Sequence, residues 1–87
     1  MAHVFIPTAL RSLTAGEPMV DVEAATVRGV IAELEKRFPG IAERLVHDDV
    51  IAPGLAVAID GEFTSRGLLA TVEPRSEVHF LPAIGGG

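Results

Sequence analysis

The 87-residue chain is 48% hydrophobic, has no cysteine and carries twelve acidic residues against seven basic ones, for a net charge of −5. That size allows one domain with a modest core, and the missing thiols exclude a disulfide framework, a thiol nucleophile and a thiolate metal site. An acidic balance with phenylalanine as the sole aromatic type argues against nucleic acid as a partner and for a positively charged protein. No apolar run approaches the ~20 residues that span a bilayer. The start, Met1 to Pro7, lacks the basic and long apolar regions of a signal peptide, so a cytoplasmic protein without membrane contact is expected.

Val4, Phe5 and Ile6 begin a first strand, which Pro7 ends because it donates no backbone hydrogen bond. Thr14 to Pro18 has turn composition, and Met19 to Val22 alternates as a second strand, so the two predict a hairpin with a broad connection. Thr26 suits a helix N-cap. After it Val27, Val30, Ile31, Leu34 and Phe38 recur at i, i+3, i+4, i+7 and i+11, one apolar helical face. Gly29 inside that helix costs about 1 kcal/mol relative to alanine and points to a close approach. Glu33 and Arg37 are spaced for an i,i+4 pair. Pro39-Gly40 stops the helix, and Ile41 to Leu45 adds one more turn.

His47 to Gly54 reads as a polar loop. Leu55 to Ile59 follows as a central strand with large residues on one face and alanines on the other. Asp60-Gly61 is a hairpin signal, so Glu62-Phe63-Thr64 turns back. Leu68-Leu69-Ala70 is a short apolar piece, Pro74 to Glu77 a turn, and Val78 to Pro82 the last strand. These elements predict an α+β fold in the order β-β-α-β-β-β. Its mixed sheet has four to five strands, with one main helix packed on one face. Residues 1–82 make up the domain and 83–87 a glycine-rich tail.

No enzyme constellation emerges. His3, His47 and His79 sit in different segments, and the adjacent His47-Asp48-Asp49 cannot converge on one ion without further ligands, so no metal site is expected. Ser12, Ser65 and Ser76 lack a base and an orienting group, and Glu23, Glu33, Glu43 and Glu73 read as solvated exterior. What remains is Ile84-Gly85-Gly86-Gly87, which places a carboxylate at the tip of a tether without side chains. Such a tail can thread a narrow tunnel. A carboxylate is a poor electrophile, but transfer of AMP from ATP onto Gly87 would activate it for a sulfur or amine nucleophile. The catalytic groups would belong to a partner, so this chain is a carrier or substrate and not an enzyme.

The strand order, together with the ending Glu77 to Gly86, resembles the ubiquitin-like β-grasp sulfur carriers of the MoaD/ThiS family, whose members end in a strand, one or two prolines and Gly-Gly. Two internal stretches, Ile6 to Arg11 with Thr14-Ala15-Gly16, and Phe38 to Leu45, are similar to its CysO branch. The resemblance implies that Gly85, Gly86 and Gly87 thread into an adenylating enzyme of the MoeB/ThiF type. It also implies that Gly87 becomes an acyl-adenylate and then a thiocarboxylate, and that Leu81, opposite in face to Phe80, docks on partners. ATP would be used by the partner and no cofactor held by this chain. The acceptor would be a cysteine synthase, with pyridoxal phosphate as its cofactor, or the large subunit of molybdopterin synthase. Thiamine or another sulfur metabolite is an alternative destination, a ubiquitin-like modifier shares the activation step, and a plain interaction domain would leave the tail inert. The chain differs from the branch pattern at Arg75-Ser76, where Gly-Asp is usual, and at Asp60, near which asparagine is common. It also has a third glycine, which a partner tunnel tolerates or a tail-processing metalloprotease removes.

Overall fold

Alternation in the first two strands decides how the molecule begins. Ala2, Val4 and Ile6 point to one side of β1 (Ala2–Phe5) and its extension, and Val20 and Val22 to the same side of β2 (Met19–Val22). The strands pair antiparallel with Val4 opposite Val20, as the hairpin reading requires. The computed structural model describes residues 1–83. The broad connection holds a 3₁₀ helix, Thr8–Thr14, which sends Leu10 and Thr14 into the core. Thr14 is fully buried, and its hydroxyl is satisfied by the carbonyls of Glu17 (2.8 Å) and Arg11 (3.2 Å).

The helix α1 (Val27–Arg37) begins where expected: the Thr26 hydroxyl accepts the N–H of Gly29 at 3.1 Å. Val27, Val30, Ile31 and Leu34 are buried, and Phe38 packs at the margin of the core. A Cβ on Gly29 would stand 3.2 Å from the Cβ of Ala24, so the glycine is there for the close approach. Glu33 does not pair with Arg37. It pairs with Lys36 (3.2 Å), while Arg37 donates to the Asp21 carbonyl on the open edge of β2 (2.6 Å). An exposed helix pair contributes only a few tenths of a kcal/mol, too little to keep a guanidinium from a free edge carbonyl. After Pro39, the Glu35 carboxylate collects the N–H groups of Gly40 (3.0 Å) and Ala42 (2.9 Å), tying the end of α1 to α2 (Ala42–Leu45). Those two donors hold the Glu35 carboxyl below its ordinary value.

The expected polar loop contains a small hairpin, β3 (Val46–His47) and β4 (Val50–Ile51), turning at Asp48-Asp49. Both aspartates have positive φ (51° and 63°), the geometry a two-residue hairpin needs and one that aspartate tolerates. Arg28 clasps Asp49 at 2.7 Å and lowers its carboxyl, chiefly through that hydrogen bond. The main sheet continues with β5 (Leu55–Ile59), β6 (Glu62–Phe63) and β7 (Glu77–Pro82). Asp60 (φ 52°) and Gly61 (φ 86°) form the predicted turn between β5 and β6. The apolar piece before β7 is a 3₁₀ turn, Gly67–Leu69, with Leu68 buried and Leu69 exposed.

The five strands lie in the order β2-β1-β7-β5-β6. β7 runs parallel to β1 and antiparallel to β5, so the last strand is central. Val57, Val78 and Phe80 face the buried side of α1, with Ile41 and Leu45 closing one end. This is the ubiquitin-like β-grasp, with the main-sheet strands and the helix in the predicted order.

Leu34→Ala is expected to cost about 2–5 kcal/mol in urea unfolding, because a fully buried side chain leaves a cavity. Glu35→Gln tests the link between the helices. The Glu35 pKa is lowered on folding, so its stabilisation is present above the ordinary value of 4.5 and lost as pH falls through the folded value. The urea midpoints of wild type and Glu35→Gln should therefore differ at neutral pH and converge on acidification below 4.5.

Candidate docking face and tail root

With Val78 and Phe80 buried, alternation turns Glu77, His79 and Leu81 to the side of the sheet away from α1. Register then builds a row across five strands: Met19, Phe5, His79, Ala58 and Phe63. The Phe5 and His79 rings stack in parallel with centroids 4.2 Å apart. Towards the tail, Leu81 stands opposite Ala56 and Pro82 opposite Leu55. In the other direction the face becomes polar, with His3 opposite both Asp21 and Glu77. His3 bonds the Asp21 carboxylate through Nδ1, and Glu77 lies 3.8 Å from His79.

His3 and His79, separate in sequence, thus share one face, while His47 lies in the small hairpin outside this sheet. Among the described residues no group of three or more histidines and carboxylates is arranged to hold a metal ion. Ser12 and Ser65 are exposed; buried Ser76 donates to Asp60 (3.0 Å) and accepts from the Glu73 N–H (3.0 Å), a structural role.

A groove of about 610 Å³ runs beside the end of β7, between Leu81, Pro82 and His79 on one wall and Phe5, Pro7 and Ala9 on the other. Leu81 is half-buried in it, on the face opposite Phe80. Arg11 stands at its rim, its Nε donating to the Ile6 carbonyl at 3.2 Å. Ala83 still donates to the Gly54 carbonyl at 2.9 Å, so the backbone is anchored to the end of the described chain. The expected adenylation site Gly87 and the threading residues Gly85 and Gly86 lie outside the described residues. Sequence reasoning singled out Leu81 but not Phe5, Met19 or Phe63. Alternation in β1 carried a signal, since Phe5 lies between inward Val4 and Ile6, yet its neighbours depend on strand pairing.

The face and the tail root together define a β-grasp domain that presents its last strand, not a pocket with catalytic side chains. The ThiS family model matches residues 4–87, and the chain belongs to that family, whose members are small sulfur carriers and not catalysts. It is 35% identical over 91 residues to the sulfur carrier protein CysO of Mycobacterium tuberculosis H37Rv, covering 97% of this chain and 96% of that one. Among solved structures it is similar to the Amycolatopsis orientalis BexX/CysO complex, with a TM-score of 0.91, 37% identity and full coverage of both chains. The crystal structure of Mycobacterium tuberculosis CysO, described as an antigen, gives a TM-score of 0.88 at 30% identity, over 97% of this chain and 100% of that one. No helix among the described residues is long and apolar enough to cross a membrane.

The two faces of β7 predict opposite responses. Phe80→Ala should cost about 3–5 kcal/mol in urea unfolding, whereas half-buried Leu81→Ser should cost about 1 kcal/mol and leave the fold intact.

Proposed function

We propose that this chain carries sulfur for cysteine synthesis as a thiocarboxylate on Gly87. The observation that carries the reading is kinship to CysO over nearly the whole chain, at 35% identity. In the first step a Gly87 carboxylate oxygen attacks the α-phosphorus of ATP on an adenylating enzyme of the MoeB/ThiF type, releasing pyrophosphate. Sulfide then attacks the acyl carbon and expels AMP, leaving the thiocarboxylate. A persulfide's terminal sulfur would instead give an acyl disulfide, and a thiol attacking its outer sulfur, with formation of a disulfide, would release the thiocarboxylate. An acceptor enzyme takes the sulfur, and its cofactor, pyridoxal phosphate for a cysteine synthase, belongs to that partner.

The described structure supports this division of labour. The anchored β7 holds the tail root against β1 and β5, and the groove beside Leu81 offers partners an apolar face without catalytic groups. A side-chain-free tail suits a tunnel in the adenylating enzyme. The third glycine moves the reactive carboxylate about 3.5 Å farther than a Gly-Gly ending would. The enzyme accommodates that shift, or a tail-processing metalloprotease removes Gly87.

The test is intact mass after incubation with ATP, the cognate adenylating enzyme and sulfide. A gain matching exchange of one oxygen for sulfur, mapped to Gly87, is expected; a gain only after removal of Gly87 would establish trimming. Deleting Gly86 and Gly87 should abolish sulfur transfer while leaving the urea midpoint near that of the intact chain. Sulfur transfer that survives the deletion would overturn the mechanism, and Leu81→Asp should raise the KM for the carrier.

A further inference from the structure

Two recesses flank the point where β7 gives way to the tail, and Pro7, Ala9 and Pro82 line both. The first is the groove beside Leu81, with Arg11 at its rim. The second, about 200 Å³, opens against Gly54 and Leu55 and carries Arg44. None of the twelve acidic residues lines either recess. Among the described residues neither Arg11 nor Arg44 has an ion-pair partner, and the other arginines without one, Arg37, Arg66 and Arg75, line neither recess.

The tail root is therefore locally cationic on a chain of net charge −5. The chain as a whole favours a positively charged partner, and carboxylates at one place on that partner attract only this region and repel the rest of the chain, which orients the encounter. The two guanidiniums suit carboxylates, which they can grip with paired N–H donors. The apolar lining between them raises the worth of such a pair above that of a fully solvated one. Nucleotide phosphate does not fit as the occupant: a tail threaded in extended form puts Gly87 about 17 Å beyond Pro82.

We propose that Arg11 and Arg44 form a cationic collar around the tail root, which docks on carboxylates at the mouth of the adenylating enzyme's tail channel so that this acidic chain engages tail first. The inference rests on the reading of the chain as a carrier activated at Gly87. It assigns the collar to docking and leaves chemistry to the enzyme.

The experiment measures steady-state AMP formation by the cognate MoeB/ThiF-type enzyme with ATP and sulfide, varying the carrier at low and high NaCl. Arg11→Glu and Arg44→Glu should each raise KM about tenfold at unchanged kcat and flatten the salt dependence seen with wild type. Arg66→Glu makes the same charge change at an exposed position outside both recesses, and it should act weakly. Because Arg11 also bonds the Ile6 carbonyl, Arg11→Lys serves as its partner variant and should restore most of the lost KM. Exposed Arg44 carries the test even if Arg11→Glu folds poorly.

A KM in both collar variants equal to that of Arg66→Glu would overturn the proposal, as would a fall in kcat alone. Faster adenylation of the variants would also overturn it, by showing that the collar holds the chain's own C-terminal carboxylate. Wild type that is never adenylated would remove the functional reading itself, whereas adenylation indifferent to both arginines removes only the collar.

Discussion

Parallel pairing of the first strand with the last is the constraint on which the molecule depends. It places β7 at the centre of the sheet, with β1 on one side and β5 on the other, so both edges of its backbone are occupied. Closing the chain over that distance costs entropy that only burial can offset, and Val4 opposite Val78, both fully buried under α1, supplies it at the pairing itself. A strand held on two sides and buried through Val78 and Phe80 makes a rigid base for whatever follows it. The anchor extends through Ala83, beyond the last strand residue.

The turn leading into that strand shows how two sequence departures belong together. Asp60 closes the β5–β6 turn and also accepts from the Ser76 hydroxyl (3.0 Å) and from the Glu77 N–H (2.9 Å), while its own N–H donates to the Glu77 carbonyl (2.9 Å). Before the last strand this chain has a hydroxyl, at Ser76, and at the end of the central one an acid, at Asp60. The Ser76 hydroxyl and the Asp60 carboxylate thus tie the turn before the last strand to the end of the central one. Arg75 takes the turn at φ 73°, a conformation glycine adopts at lower cost, and its side chain stays in solvent.

Along its strands the outer face grades from charged to apolar. Asp21, His3 and Glu77 occupy one end, the Phe5–His79 stack the middle, and Leu81 with Pro7 the end from which the tail departs. A sulfur carrier must be held by its partner near the tail yet released after transfer. Apolar contact confined to one end of a sheet suits a docking surface of moderate size. That arrangement needs no catalytic side chain in the carrier, in keeping with a family of sulfur carriers and not enzymes.

Much of this was legible in one dimension because it depends on local periodicity. The 3.6-residue recurrence of Val27, Val30, Ile31 and Leu34 and the cap at Thr26 define α1, Asp60-Gly61 defines a turn, and alternation places Phe80 and Leu81 on opposite faces. The β3–β4 hairpin and the two 3₁₀ segments were not legible: pairs of two-residue strands carry no period, and aspartates at Asp48-Asp49 give a weaker turn signal than asparagine-glycine. The sequence alone determined the kind of each main element and the inward or outward sense of its residues, because both follow from the chain's own geometry. Tertiary structure alone decided that Phe5 stacks on His79, that Ser76 meets Asp60 and that Arg11 and Arg44 flank one tail root. Those contacts join positions 16 to 74 residues apart, or share only a surface, and strand pairing and packing bring them together without any local pattern to announce them.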